Sequence, residues 1–352
     1  MGSLLWVGNL QANDGVGAVG VGGVVVAGKS DQVRMRKEVL EISLNRIKVS
    51  YEFINLAAEA ITLPVFFPLP AYDSISEYLI PRGSPTSFKV LINGKMESYS
   101  TSFRAFACTS PDNPFPPCGK EARRDVTDQL KKIGLTDEQI VYFPKPFSPF
   151  GGPFGIQGGD LTNDQRERLL KWGLYDNTAH EKDFHQLLWE VEVAYSWQVT
   201  FPARGVVKVE HEYDTFPSRA GATYRDADEL RDVFCAGPSL IKIYQELLKK
   251  RETEGDLLAD LAPHVEYILT TANTWAGPIE EFTLILRKAT PDEKISLCFP
   301  GNVEKVDPVT LKIELKNFVP EQNLKVMFLN GQIHGELNRS SPPVLSQGNG
   351  IP

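Results

Sequence analysis

The sequence predicts a mainly β protein of the α+β type, with antiparallel sheets packed in a sandwich-like arrangement and a helical insertion. Three observations carry that expectation. Apolar and polar residues alternate at period two in several separate stretches, helical spacing is confined to the middle of the chain and one later segment, and four cysteines are placed where loops need staples.

Taken in order, Gly15 to Gly28 alternates Gly with Val and Ala, as a glycine-rich strand does. Gly28-Lys29-Ser30, with Gly23 at the right distance, has the shape of a phosphate-loop end. However, Asp31 to Ile42 shows strand alternation at Val33-Arg34-Met35-Arg36 and no cap, so the helix N-terminus that would hold phosphate is missing. Ile47, Val49, Tyr51 and Phe53 share one face of a strand whose other face carries Arg46, Lys48, Ser50 and Glu52. One dry face and one wet face point to an antiparallel sheet. The longest alternation runs Trp189, Val191, Val193, Tyr195, Trp197, Val199, Phe201, long enough to bend across a sheet or serve two. Pro202-Ala203-Arg204-Gly205 then turns the chain, and Val207, Val209 and Tyr213 return, so residues 189 to 214 predict an antiparallel hairpin. Val309, Leu311, Ile313 and Leu315 repeat the pattern near the end.

Helices are expected at 120–133, after Thr136 with Gln139 as a capping box, from Thr162 to Trp172, at 226–235 and at 239–251. Pro144 to Gly159, rich in Pro, Gly and Phe, reads as a loop. The expected organisation is a signal-peptide remnant or tag at 1–12 and an N-terminal β-sheet region at 13–107. A loop and helix insertion at 108–187 follows, then a C-terminal β-sheet region at 188–330 with helices at 226–251, and a disordered tail at 331–352.

The 352 residues are 42% hydrophobic and 23% charged, a balance in which apolar burial offsets chain entropy. A net charge of −8 without a basic run argues against nucleic acid as a partner, since phosphate binding rests on Lys/Arg patches. The longest apolar run, Ile61 to Leu69, is broken by Pro64 and Pro68 and predicts no membrane span. Leu4-Leu5-Trp6-Val7 followed by Leu10-Gln11-Ala12 has the form of a signal-peptide tail with a small-residue cleavage site before Asn13-Asp14, although no basic segment precedes it and Met1-Gly2-Ser3 also suits a tag scar.

Cys108 and Cys118 bracket Pro111, Pro114, Pro116 and Pro117, a loop too proline-rich to fold on its own hydrophobicity. Cys235 and Cys298 would close a longer loop. Chain entropy values the two staples at about 3 and about 4 kcal/mol. Three pairings, or four buried thiols, are open at this stage. Disulfides place the protein in an oxidising compartment, secreted or periplasmic.

The candidate chemistry is sparse. His180 and His185, with Glu181 and Asp183 between them, are five apart, where a helical zinc pair needs four. His211 falls on the apolar face of its strand and reads as a buried, hydrogen-bonded core histidine, while His264 and His334 have no partners in sequence. No Gly-x-Ser-x-Gly elbow is present. Cys235, paired with His211 or His264, would make a thiol nucleophile, a role that competes with the disulfide. Glu190 and Glu192, with Glu210 and Glu212, are expected on the wet faces of adjacent strands, where they would chelate a hard cation or simply be solvated. No catalytic, cofactor-binding or metal-ligating residue is assigned, and no cofactor is expected.

Several phrases in order resemble the bacterial exported family labelled domain of unknown function 4424. They are Asn13-Asp14 with Gly22-Gly23; Val49-Ser50-Tyr51-Glu52-Phe53-Ile54-Asn55 running on to Phe67-Pro68-Leu69-Pro70; Trp197 to Pro202 with Val209-Glu210-His211-Glu212-Tyr213; Tyr267-Ile268-Leu269-Thr270-Thr271 with Trp275-Ala276-Gly277-Pro278; and Ser296-Leu297-Cys298-Phe299-Pro300-Gly301. The resemblance, over about Asn13 to Leu329, implies an exported protein and agrees with a Cys235–Cys298 pair, but brings no catalytic residues. Residues 47 to 70 are also faintly similar to the N-terminal β domain of vault/inter-α-trypsin-type proteins, a binding scaffold. The expected function is therefore a non-catalytic binding or assembly module outside the cytoplasm, with a protein or cell-envelope component as partner. Phe147, Phe150 and Phe154 form its candidate contact surface, unless they pin their loop to the core. The alternative is an exported hydrolase or metal-dependent enzyme whose site is assembled from spatially close residues, with Phe147 to Gly159 as its lid.

Overall fold

A computed structural model describes residues 13–19, 25–73, 88–110, 121–142, 161–176, 186–215, 227–254 and 262–329, with single positions between 111 and 120. In the N-terminal part, β1 (Gly15–Val19) pairs with β2 (Val25–Ala27), and β3 (Val33–Ser43) with β4 (Arg46–Asn55). β5 (Ile61–Pro68), β6 (Tyr72–Asp73), β7 (Lys89–Ile92), β8 (Lys95–Met96) and β9 (Ser100–Cys108) follow. The insertion holds β10 (Arg123–Asp125), α1 (Thr127–Lys132), α2 (Asp137–Tyr142), α3 (Asn163–Lys171), β11 (Tyr175–Asp176) and β12 (Gln186–Leu187). Beyond it come β13 (Glu190–Phe201), β14 (Val206–Asp214), α4 (Ala227–Phe234), α5 (Pro238–Glu254) and β15 (His264–Tyr267). A 3-10 turn at Thr270–Thr274 leads to β16 (Ile279–Arg287), β17 (Lys294–Ser296), β18 (Glu304–Asp307), β19 (Thr310–Phe318) and β20 (Leu324–Leu329).

Two large sheets dominate, with orders β18-β19-β16-β3-β4-β14-β7-β8 and β10-β9-β13-β5-β1-β2, the second also carrying β6 beside β13. The mainly β, sandwich-like expectation is met. Strands from before residue 107 and after residue 188 interleave within both sheets, and among the described residues one pair, β3 with β16, is parallel. The inward faces are those the alternation marks: Ile47, Val49, Tyr51 and Phe53 from β4, and Val191, Val193, Tyr195, Trp197, Val199 and Phe201 from β13, are all buried. Rings meet across the gap. Phe53 lies 6.0 Å from Phe201, and Phe67 lies 5.5 Å from Tyr213, centroid to centroid.

The predicted hairpin at 189–214 is not one. β13 pairs with β5, β6 and β9, whereas β14 pairs with β4 and β7, so the two consecutive strands lie in opposite sheets. A long antiparallel ribbon, β4–β5 against β14–β13, folds over at a corner. Period-two patterning reports which face of a strand is dry and is silent about which strand it pairs with. Asn55 fixes the corner. Its Nδ2 donates to the Phe201 carbonyl at 3.0 Å and to that of Glu59 at 2.8 Å, and its Oδ1 accepts from the Ala57 N–H at 2.9 Å. Gly205 closes the opposite side, where a Cβ would stand 2.8 Å from the Pro202 ring.

The predicted capping box forms at Thr136 with Gln139, and the helix start expected at Thr162 proves to be a second box, with Gln165, each with reciprocal side chain to backbone hydrogen bonds. The helix expected over 120–133 is shorter, because Arg123–Asp125 pairs instead with Phe106–Cys108 of β9. Leu130, Ile140 and Leu169 bring α1, α2 and α3 onto the main core, and Trp189 Nε1 and Tyr72 OH donate to the Ile140 and Val141 carbonyls. A second core under α4 and α5 gathers Leu230, Phe234, Ile241, Tyr244, Met327 and Leu329. Among the described residues no helix is long and apolar enough to cross a membrane.

Candidate functional site

Both cysteine pairs are disulfides, Cys108–Cys118 and Cys235–Cys298, so the Cys235 thiol is not free to act as a nucleophile. The first joins the end of β9 to the segment leading into β10. The second ties the α4–α5 junction to the chain after β17. Phe147, Phe150 and Phe154 lie outside the described residues, as do His180, His185 and His334.

The polar residues that the fold does bring together lie between the sheets. His211 is buried as the alternation of β14 predicts, and its Nε2 stands 2.7 Å from Asp14 Oδ1, with both side chains fully enclosed. Four aromatic rings surround it. Trp197, Phe67 and Phe88 lie 5.0 to 5.1 Å from the imidazole and Tyr51 lies 5.7 Å away. Burial raises the pKa of the Asp14 carboxyl, and its contact with His211 opposes the rise.

Asp14 is anchored from the far end of the chain. Trp275 Nε1 donates to its carbonyl at 2.6 Å, Thr271 Oγ1 accepts from the Asn13 N–H at 2.5 Å, and the same hydroxyl donates to the Asn13 carbonyl at 2.6 Å. Asn13 Nδ2 in turn donates to Glu38 Oε2 at 3.1 Å. Burial pushes the Glu38 pKa up to about 8, which the Asn13 hydrogen bond resists and neighbouring Asp14 reinforces. Tyr51 and Tyr267 share a 2.9 Å hydroxyl hydrogen bond, and burial holds both phenols well above their usual range.

Glu38 enters the core because β3 changes phase. Val33 and Met35 face inward, then a bulge between Met35 and Lys37 shifts the register, and Glu38, Leu40 and Ile42 face inward instead. Sequence reasoning missed this residue. The switch of apolar positions from odd to even numbers was its visible signal. For Asn13, Asp14, Thr271 and Trp275, no local pattern marks residues some 258 positions apart as neighbours.

Four buried polar atoms of this cluster have no hydrogen-bond partner among the described residues: Asp14 Oδ2, Glu38 Oε1, His211 Nδ1 and the Tyr213 hydroxyl. An aspartate–imidazole pair is the orienting half of an acid–base dyad. A working dyad needs a hydroxyl or thiol on the other ring nitrogen, and among the described residues none is bonded to Nδ1. Nor do the described residues hold a group of three or more His, Cys, Asp or Glu side chains placed for a metal ion.

Glu190 and Glu192 depart from the wet face expected of them. Glu190 is 3% exposed, and Arg123 Nη1 lies 3.0 Å from it and 2.7 Å from Glu192, with the guanidinium 4.0 Å from the centre of the Phe106 ring. The Cys118 N–H donates to Glu190 at 3.1 Å, so this carboxylate serves the staple beside it. Glu210 and Glu212 lie in the other sheet and pair with Lys208 and Arg46 at 2.9 and 2.8 Å. The two acidic pairs therefore do not meet.

Comparison with known proteins gave a family match across most of the chain. The model of the family described as Domain of unknown function (DUF4424) matches residues 12–327. No curated protein matches. Among solved structures, a protein from Legionella pneumophila, with nutrient binding as its suggested role, is 15% identical at a TM-score of 0.44 over 91% of this chain and 70% of that one. An M1 zinc metallopeptidase variant from Deinococcus radiodurans is 9% identical at a TM-score of 0.26 over 86% of this chain and 43% of that one. Likeness at that level says nothing of ligand or reaction.

Proposed function

The chain belongs to the DUF4424 family, and from that premise we propose that it is an exported, non-catalytic binding or assembly module working outside the cytoplasm. One observation carries the reading. The polar groups with chemical potential, Asp14, Glu38 and His211, are enclosed between the sheets and bonded to residues from both ends of the chain, so they serve the scaffold. Two disulfides support an oxidising compartment. The partner is a protein or cell-envelope component, and the contact surface is the segment bearing Phe147, Phe150 and Phe154, whose rings would supply the apolar anchors such surfaces use.

The test is export of the full chain as wild type and with Phe147, Phe150 and Phe154 changed together to Ser. Retention with the envelope fraction should fall at least tenfold in the variant while its thermal midpoint stays unchanged. Equal retention at equal stability would end the assignment of that surface.

A second reading, a hydrolase with a site enclosed between the sheets, draws on the four unpartnered buried atoms around His211. Turnover of ester, phosphoester or peptide substrates that disappears with His211→Gln in a folded variant would favour it over the binding module.

A further inference from the structure

Glu38 is buried with one carboxylate oxygen bonded to Asn13 and the other, Oε1, unpartnered among the described residues. Asn13 is itself wholly buried, and its backbone nitrogen donates its single hydrogen to Thr271. The residues just ahead, Leu10-Gln11-Ala12, form the small-residue site at which a leader would be cut. We infer that hydrolysis of the Ala12–Asn13 bond is this protein's maturation step, and that the α-ammonium it creates on Asn13 is the missing cation of the site, ion-paired with Glu38.

Cleavage there rests on the export reading. A leader peptidase of the exporting cell catalyses the step, and water supplies the atoms. Ala12 leaves with the new carboxylate, and Asn13 keeps its nitrogen, which takes up protons to become an ammonium with three N–H donors. One donor continues to Thr271, and the others become available to Glu38. Four covalent bonds separate the backbone nitrogen from Nδ2 within one asparagine, a span of at most about 5 Å. Since Nδ2 lies 3.1 Å from Glu38, the new amine forms within about 8 Å of the carboxylate, a gap that the proposed ion pair closes by a side-chain rotation of Glu38. The cluster then sets two carboxylates, Asp14 and Glu38, against two basic groups, His211 and the α-amine. The phenols of Tyr51, Tyr213 and Tyr267 complete its titratable surroundings.

The experiment compares two purified forms of the chain, one beginning at Asn13 after removal of a cleavable tag and one retaining Ala12, each with and without Glu38→Gln. Urea unfolding is followed from pH 6 to 10. The Asn13 form should be at least tenfold more stable in its unfolding constant at pH 7. An ammonium paired with a carboxylate has a raised pKa, so this excess is full below the ordinary α-amine range of about 7.7–8.0 and is lost as pH rises through the folded value. Glu38→Gln should destabilise the Asn13 form and stabilise the Ala12 form, a reversal of sign that simple truncation of contacts would not give. Identical pH profiles in the two forms, or the same sign of the Glu38→Gln effect in both, would overturn the ion pair. Terminal mass analysis of the exported protein should find Asn13 first, and any other first residue overturns the maturation step. A chain that is never exported overturns the export reading, while the two purified forms still decide the pairing.

Discussion

Glu38→Gln, made in a chain whose Ala12–Asn13 bond is intact, removes a buried ionisable group while keeping its shape and its hydrogen bond from Asn13. Burial raises the Glu38 pKa from 4.5 to about 8. A carboxyl whose folded pKa is raised contributes its full stability below the unfolded value, and that contribution is lost as pH rises through the folded one. Each pKa unit is worth about 1.4 kcal/mol, so the wild type should lose about 3 kcal/mol between pH 4.5 and 7, and roughly 5 by pH 9. The amide that replaces the carboxyl does not ionise, so the variant should lack this component. Urea midpoints at pH 5, 7 and 9, with unfolding slopes unchanged, measure the difference: the two proteins should agree within about 1 kcal/mol at pH 5 and diverge steadily above it. Parallel profiles across that range would refute the claim that Glu38 is buried and neutral in the intact chain.

Asp14→Ala deprives the buried His211 ring of its carboxylate partner, and should cost roughly 3–5 kcal/mol by chemical denaturation. Asn55→Ala removes three hydrogen bonds from the corner of the ribbon and should cost about 1–3 kcal/mol, read from the same urea midpoints. Replacing Cys235 and Cys298 together by Ala should cost about 4 kcal/mol against about 3 for Cys108 and Cys118, because the longer loop, 63 residues apart against 10, gives back more chain entropy on opening. Equal losses for the two pairs would contradict the loop-entropy account.

What the sequence reveals here is local. The dry faces of β4, β13 and β14 follow from side-chain alternation, the cap at Thr136 from a hydroxyl with a glutamine three positions on, the helix start at Thr162 from its hydroxyl, and the enclosure of His211 from its place between Val209 and Tyr213. Pairing partners are not local. The turn at Pro202–Gly205 looks the same whether the chain doubles back beside itself or passes to the opposite sheet, and only the matching corner at Asn55 decides. Glu190 and Glu192 looked solvated because the arginine that neutralises them, Arg123, comes from a segment that the Cys108–Cys118 staple carries alongside β9. The Asn13–Asp14–Glu38–His211 cluster was legible only in part. His211 announced itself, a parity change concealed Glu38, and the partners of Asn13 lie near the opposite end of the chain.

The central claim is that this β scaffold acts by contact with a partner outside the cytoplasm. Site-specific photo-crosslinking of the exported full chain tests it most directly, with probes placed in turn at Phe147, Phe150 and Phe154 and at the exposed Lys316 and Arg46 as controls. The account predicts one discrete adduct with a single envelope component from the three phenylalanine positions and none from the controls. Adducts spread evenly over all five positions, or absent from the three, would contradict it.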